Sequence, residues 1–184
     1  MSIYIALLRG INVGAKHRMS MAELTQTLHE AGFANVRTYI QSGNVLFESD
    51  GEEAELCERM EQAIFKRFGF SVPVILRTSR ELQAIVDHCP FTAEEVQAAE
   101  AASGVESLHV CMFLSEPDPV AVEKLKAIPS GGDRFTVCGR DMYLLVQNGV
   151  HNSKLAAQVS KSKTSVTARN FKTMRHLALM ANNT

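Results

Sequence analysis

The length and composition are those of an ordinary globular protein. The chain has 184 residues, of which 46% are hydrophobic and 21% are charged, close to the average for folded domains. These values exclude a disordered, coiled-coil or collagen-like chain, and the length allows a core without disulfides or metal. No apolar run approaches the roughly 20 residues of a membrane helix, and the first residues lack a signal-peptide pattern. We therefore expect a cytoplasmic protein with no membrane partner.

The sequence offers no recognisable set of catalytic residues. Its cysteines are far apart, form no CxxC pair and have no histidine at the spacing of a zinc site, so we expect reduced thiols and no metal. The phosphate-binding pattern GxxxxGK[ST], the dinucleotide pattern GxGxxG and the nucleophile pattern GxSxG are all missing. These observations predict no cofactor and leave open whether the protein is an enzyme.

Charge is distributed unevenly along a chain whose net charge is only −1. Acidic residues crowd one segment: Glu48, Asp50, Glu52, Glu53, Glu55, Glu58 and Glu61. After Asp141 the chain has no acidic residue and the following cations: Lys154, Lys161, Lys163, Arg169, Lys172 and Arg175. This basic segment indicates either a contact with phosphate groups or, as we favour, solvation or docking on the protein's own acidic residues.

Hydrophobic periodicity in the first half predicts the order βαββαβ, which is the ferredoxin-like plan of two helices on a four-stranded sheet. The continuous apolar run at the start, the capping-box spacing from Ser20 to Glu23 and the Ser42-Gly43 turn delimit the first elements. The predicted elements are Ile3–Leu8, Met21–Ala31, Asn35–Gln41, Asn44–Glu48, Glu52–Phe68 and Ser71–Arg77.

The second half predicts a repeat of this order as βαββα followed by a tail. Its predicted elements are strand His109–Leu114, helix Val120–Ile128, strands Arg134–Cys138 and Met142–Val146, and helices Leu155–Val159 and Thr167–Ala181. The fold class is therefore α+β, with two ferredoxin-like lobes packed together, which would cover both open sheets. We assign residues 1–80 to an N-terminal lobe, 81–106 to a helical connector and 107–184 to a C-terminal lobe.

Three motifs resemble those of a bacterial family, domain of unknown function 1697. They are RGINVG at Arg9–Gly14, TYIQSGNVLF at Thr38–Phe47 and TARNFKT at Thr167–Thr173. The resemblance is collinear over nearly the whole chain and implies two α+β lobes of ferredoxin-like type. It implies no activity, because the family has none established.

The loop from Arg9 to Arg18 is the first candidate binding site. It joins a strand to a helix and contains glycines together with Arg9, Asn12, Lys16 and Arg18. Such a loop presents backbone N–H groups, a helix N-terminus and cationic side chains to an anion. The structural alternative is that the glycines only allow a tight backbone path, while Arg9 pairs with a carboxylate.

The second candidate site lies in the basic C-terminal segment. Lys154 follows Ser153, and Arg169 and Asn170 follow Thr167, a residue able to cap the last predicted helix. These three side chains suit a carboxylate or phosphate. Alternatively, Arg169 and Asn170 attach the terminal helix to the body of the protein.

The predicted strand order also places other polar and aromatic residues. Taking the first and third strands as parallel, we expect Ser42 at the opposite end of the sheet from Arg9, and Arg37 at the Arg9 end. Tyr4 and Tyr39 are expected to face outward, either to stack on nucleic-acid bases or, as we favour, to contact the other lobe.

The function suggested by these features is binding of a phosphate-bearing ligand, a nucleotide or a nucleic acid. The contacts are predicted to come from both basic segments. The alternatives are an enzyme acting on a small cytosolic substrate in the cleft between the lobes and a protein-interaction or structural module. The sequence does not indicate the oligomeric state.

Overall fold

The computed structural model describes residues 1–183, and it divides the chain into two compact units. The N-terminal lobe comprises Met1–Gln83 together with the segment from His176 onward, and the C-terminal lobe comprises Ala84–Arg175. Each lobe contains a four-stranded sheet. Over the described residues, no helix combines the length and the apolar character required to cross a membrane.

The N-terminal lobe has the predicted βαββαβ order. Its elements are β1 (Ser2–Leu8), α1 (Met21–Glu30), β2 (Ala34–Tyr39), β3 (Asn44–Ser49), α2 (Glu53–Phe68) and β4 (Val74–Thr78). The strands are arranged in the sheet as β2-β3-β1-β4, with every neighbouring pair antiparallel. This arrangement is ferredoxin-like and confirms the fold class.

Local signals in the sequence fix the two helices of this lobe. The Ser20 hydroxyl accepts a hydrogen bond from the Glu23 amide and caps α1, while Gly69 ends α2 in a left-handed conformation at φ 78°. The apolar stripes of both helices cover one face of the sheet, where they bury Ala6, Leu8 and Phe47. Tyr4 belongs to this covered face: its ring stacks on Phe47 at 5.6 Å between centroids. The expectation that Tyr4 faces outward is therefore wrong.

The C-terminal lobe repeats the same order in full. A helix α3 (Ser79–Asp87) crosses the boundary between the units, and α4 (Ala93–Ser103) follows it. The remaining elements of this lobe are β5 (Leu108–Phe113), α5 (Pro119–Lys126), β6 (Arg134–Cys138), β7 (Asp141–Leu145), α6 (Lys154–Val159) and β8 (Val166–Asn170). The last helix, α7 (Phe171–Asn182), begins in this lobe and continues into the segment that belongs to the N-terminal lobe. The sheet order is β6-β7-β5-β8, again entirely antiparallel.

The last strand of this lobe corrects the sequence prediction. Residues Thr167 to Asn170 were predicted as the start of a helix, but they form β8, which pairs along β5 from Val166 to Asn170. Helix α7 begins only at Phe171. Its N-terminal cap is Asn170 rather than Thr167, because the Asn170 side-chain oxygen accepts from the Thr173 amide at 2.8 Å. The short β-branched stretch at Val166-Thr167 becomes a strand because β5 offers it an unpaired edge.

Each lobe places a buried arginine at the same position of its last strand. Arg77 lies opposite Ile5 on β1, and Arg169 lies opposite Val110 on β5. In both, Nη1 donates to the carbonyl of the preceding residue, at 2.7 Å for Arg77 and 2.8 Å for Arg169. Both side chains are buried. The two arginines thus mark an internal repeat of structure that the residue identities do not reveal.

Candidate functional site

The loop after β1 and the turn between β2 and β3 meet at one end of the N-terminal sheet. β1 and β3 are antiparallel, with Leu7 opposite Asn44, and the Leu8 amide donates to the Gly43 carbonyl at 2.8 Å. The expectation that Ser42 and Arg9 lie at opposite ends is therefore wrong. The expectation that Arg37 lies at the start of β2, at the Arg9 end, is also wrong, because Arg37 lies in the middle of β2, opposite Leu46 on β3.

The side chain of Asn12 joins the loop to the turn. Its amide nitrogen donates to the carbonyl of Met19, at the far end of the loop, and to the carbonyl of Gln41 in the turn, each at 2.9 Å. Its oxygen accepts from the Met19 amide at 3.0 Å. Because all three bonds are to backbone groups, Asn12 holds the shape of the site. It was predicted as a ligand contact, and the structure shows its amide occupied by the protein itself.

Backbone conformations that are rare for residues other than glycine are concentrated here. Asn12, His17 and Ile40 have φ values of 52°, 50° and 50°. Asparagine tolerates this left-handed region, but a β-branched residue such as Ile40 enters it at a cost of order 1 kcal/mol or more. Residues held in such conformations cluster at functional sites. The turn also spans Ile40 to Gly43 rather than the predicted pair Ser42-Gly43.

The loop presents cations on a braced support. Ile11 and Met19 are buried and anchor its two ends, and an isolated bridge between Val13 and Lys16 closes the tip. Between these anchors Lys16, His17 and Arg18 are exposed. Arg9 is half-buried at the base of the loop, where its amide donates to the Pro73 carbonyl at 3.0 Å.

An aromatic contact lies beside these cations. The His17 ring stacks on Phe70 with centroids 4.6 Å apart and planes 18° apart, and His17 Nδ1 is 3.2 Å from the Gly10 carbonyl oxygen. Phe70 follows α2 and is half-buried. Exposed cations and flat rings therefore share one surface.

The charges of the N-terminal lobe are separated along its strands. β4 begins opposite Leu8, so the C-terminal end of α2, with the exposed Lys66 and Arg67, lies at the same end as the loop. Arg67 forms an ion pair of 2.7 Å with Glu23 in the first turn of α1. We call this surface the basic end, comprising Arg9, Lys16, His17, Arg18, Lys66 and Arg67.

A cluster of acidic residues, Asp50, Glu52, Glu53 and Glu55, lies at the other end of the sheet. β3 ends at Ser49 opposite Ser2, and the acidic first turn of α2 follows directly. The N-terminal ammonium of Met1 contacts Asp50 at 3.1 Å there. Each set of charges also complements the helix dipole of α2, which stabilises the lobe whatever it binds.

The other predicted site residues belong to the C-terminal lobe. Arg169 is only 8% exposed, and its Nη1 donates to the Thr167 hydroxyl at 2.8 Å. Burial lowers the pKa of Arg169 to about 10. Asn170 caps α7, and Lys154 is exposed at the first position of α6. Arg169 and Asn170 thus serve the lobe's own structure.

The basic segment after Asp141 does not form one patch. Lys172 makes an ion pair of 2.8 Å with Glu106 in its own lobe, and Glu106 raises the pKa of Lys172. Lys161 and Lys163 lie on the loop between α6 and β8 and line a different cavity from the one that Lys154 lines. Within residues 1–183, no three histidine, cysteine or acidic side chains are arranged to hold a metal ion.

Two antiparallel βαββαβ lobes define an α+β protein, and comparison with known proteins places it in a family. Residues 1–143 match the family described as Protein of unknown function (DUF1697), so the chain belongs to that family, as its motifs predict. The match includes the motifs that form the loop and the turn. No curated protein matches the sequence.

A solved structure has the same fold. The conserved bacterial protein SP0830 from Streptococcus pneumoniae is similar with a TM-score of 0.72 over 99% of each chain, at 22% sequence identity. At that identity the similarity concerns the fold alone.

Proposed function

We propose that the basic end binds the phosphate groups of a single-stranded nucleic acid. The observation that carries the proposal is the pair of exposed cations, Lys16 and Arg18, on a loop whose two ends and neighbouring turn are fixed by Asn12. A braced loop loses little conformational entropy on binding, so more of the charge interaction is retained as affinity.

The exposure of the cations favours a strand over a mononucleotide. Lys16 and Arg18 stand on a projecting loop, whereas pockets for small molecules are concave and enclose most of the ligand. A polyanion needs only a surface along which successive phosphates meet successive cations. The stacked rings of His17 and Phe70 beside the loop add a surface for bases, as in proteins that bind single strands without sequence readout.

The charge separation of the lobe supports the same ligand. Acidic residues around Asp50 and Glu53 lie at the far end of the sheet, so the charges of the lobe form an electric dipole along its strands. A negatively charged strand is attracted to one end and repelled from the other, which raises the rate of productive encounters.

The test is a fluorescence-anisotropy titration of labelled oligothymidylate and oligouridylate at several salt concentrations. Lys16→Gln/Arg18→Gln removes two exposed cations of the basic end. We expect binding about tenfold weaker at low salt and a log–log salt slope shallower by about 1.4, since each lost phosphate contact removes about 0.7.

The matched control removes two cations elsewhere. Arg80 is exposed just beyond β4, at the acidic end of the same lobe, and Lys126 is exposed on α5. Arg80→Gln/Lys126→Gln changes the net charge equally and is expected to bind like the wild type. Equal losses in both double variants, or no binding by the wild type at low salt, would show that the basic end is not a binding site.

A further inference from the structure

The helical layer of the C-terminal lobe is shorter than that of the N-terminal lobe. α2 has 16 residues and inserts Leu56, Met60 and Ile64 into its core, whereas its counterpart α6 has 6 residues and contributes Leu155 and Val159. At 1.5 Å per residue the helices are about 24 Å and about 9 Å long. The shorter helix gives this lobe a smaller helical layer than that of the N-terminal lobe.

A cavity of about 640 Å³ lies in the C-terminal lobe between α5 and the loop that leads to β8. Its volume lies within the range of roughly 300–1,000 Å³ found for small-molecule sites. Its apolar lining includes side chains of the sheet, of α5 and the turn after it, and of α6: Phe113, Leu125, Ile128, Met142 and Val159. Most of these side chains are buried in the lobe core, so an apolar ligand here would extend that core.

One segment, Lys161-Ser162-Lys163-Thr164, supplies two lysines and two hydroxyl groups to the polar lining of the cavity. Both lysines are exposed, and the Thr164 hydroxyl is held 2.9 Å from the Ser115 hydroxyl across the loops. Cations alternating with hydroxyl groups suit a single oxyanion, which takes charge from the lysines and hydrogen bonds from the hydroxyls.

The two acidic residues of the rim offset this charge only in part. The Asp118 carboxylate caps α5 and accepts the Val120 amide at 2.9 Å, so it is directed to the helix backbone. Glu116 is the other carboxylate of the lining. The lining also contains three lysines, Lys161, Lys163 and Lys124 on α5, so positive charges outnumber negative ones.

We propose that this cavity binds a small amphipathic anion, with an apolar body in the cavity and one carboxylate or phosphate group at Lys161 and Lys163. An uncharged apolar molecule would make no charge interaction with Lys161 and Lys163. A small inorganic anion would leave the exposed apolar part of the lining in contact with water. The site is independent of the basic end, since its lining residues all belong to the C-terminal lobe.

The test is isothermal titration calorimetry of the full chain with decanoate and decyl phosphate, each below its critical micelle concentration, and with decanol below its solubility limit. We expect both anions to bind one to one and decanol to bind at least tenfold more weakly. The stronger of the two anions identifies the head group. Inorganic phosphate alone is expected not to bind.

Two variants locate the site. Ala121→Trp places a large ring at an exposed position of the cavity lining and is expected to abolish decanoate binding without disturbing the core. Lys161→Gln/Lys163→Gln is expected to weaken decanoate about tenfold and to leave decanol unchanged. The control, Lys126→Gln/Lys154→Gln, removes two exposed lysines of the same lobe that do not line the cavity, and it should bind like the wild type.

Several outcomes would overturn the proposal. They are no binding of either anion, equal affinity for decanol and decanoate, unchanged binding by Ala121→Trp, and equal losses in the two lysine pairs. Sedimentation of the wild type and Ala121→Trp is the remaining check. A dimer that Ala121→Trp dissociates would show that a second copy of the chain, and not a ligand, covers the cavity.

Discussion

Gly43→Ala is expected to destabilise the N-terminal lobe by about 3 kcal/mol, in two parts. Gly43 has φ 80°, where an L-residue costs about 1 kcal/mol. An added Cβ would also lie 2.7 Å from Leu8 Cβ and 2.8 Å from Ile11 Cδ1. Because Leu8 Cβ is fixed to the backbone of β1, the clash is relieved only by moving a strand, which costs about 2 kcal/mol more. Urea unfolding followed by circular dichroism measures the loss.

The control for Gly43→Ala is Gly139→Ala in the corresponding hairpin of the C-terminal lobe. Gly139 has a similar positive φ of 58°, and an added Cβ there meets no atom within 4 Å. The expected loss is about 1 kcal/mol, from the backbone conformation alone. Equal losses in the two variants would mean that the close approach between turn and loop is not a feature of the folded protein.

Asn12→Ala is expected to cost about 2 kcal/mol and to separate the loop from the turn. The substitution removes the hydrogen bonds to Met19 and Gln41, and each such bond contributes about 1 kcal/mol net, less where water replaces it. Alanine is also strained at φ 52°, where asparagine is tolerated. Unfolding gives the stability change, and hydrogen exchange of the Met19 amide shows the loss of its acceptor.

Asn12→Gly separates these two causes. It removes the same hydrogen bonds but accepts the left-handed conformation, so we expect it to be about 1 kcal/mol more stable than Asn12→Ala. Both variants should expose the Met19 amide to exchange. A Met19 amide that stays protected in both would contradict the role assigned to Asn12.

Much of the fold follows from local sequence patterns. The capping serine at Ser20 and the i, i+4 stripe of α2 mark helix boundaries through side-chain contacts within a few residues of each other. β8 was missed because Thr167 to Asn170 adjoins a strong helical stripe that starts at Phe171. Its strand conformation depends on pairing with β5, some 55 residues earlier in the chain, which no local pattern shows.

The candidate site was half predicted. The basic loop was identified from Arg9, Lys16 and Arg18, but the turn at Ser42 was assigned to the opposite end of the sheet. The sequence contained the information needed: a helix returns the chain so that β2 runs parallel to β1, and a hairpin then makes β3 antiparallel to β1. The roles of Asn12 and Phe70 are visible only in the folded protein, because each depends on a partner distant in sequence.

The most direct test of nucleic-acid binding at the basic end is a nuclear magnetic resonance titration of the isotope-labelled protein with oligothymidylate, following backbone amide shifts. Binding at the basic end predicts that the Lys16, Arg18 and Ser42 amide resonances shift together with a single affinity, since Asn12 connects the loop and the turn into one surface. The amides of Asp50 and Glu53, at the acidic end, should not move. Shifts confined to the C-terminal lobe, or a response at Lys16 without one at Ser42, would contradict binding at the basic end.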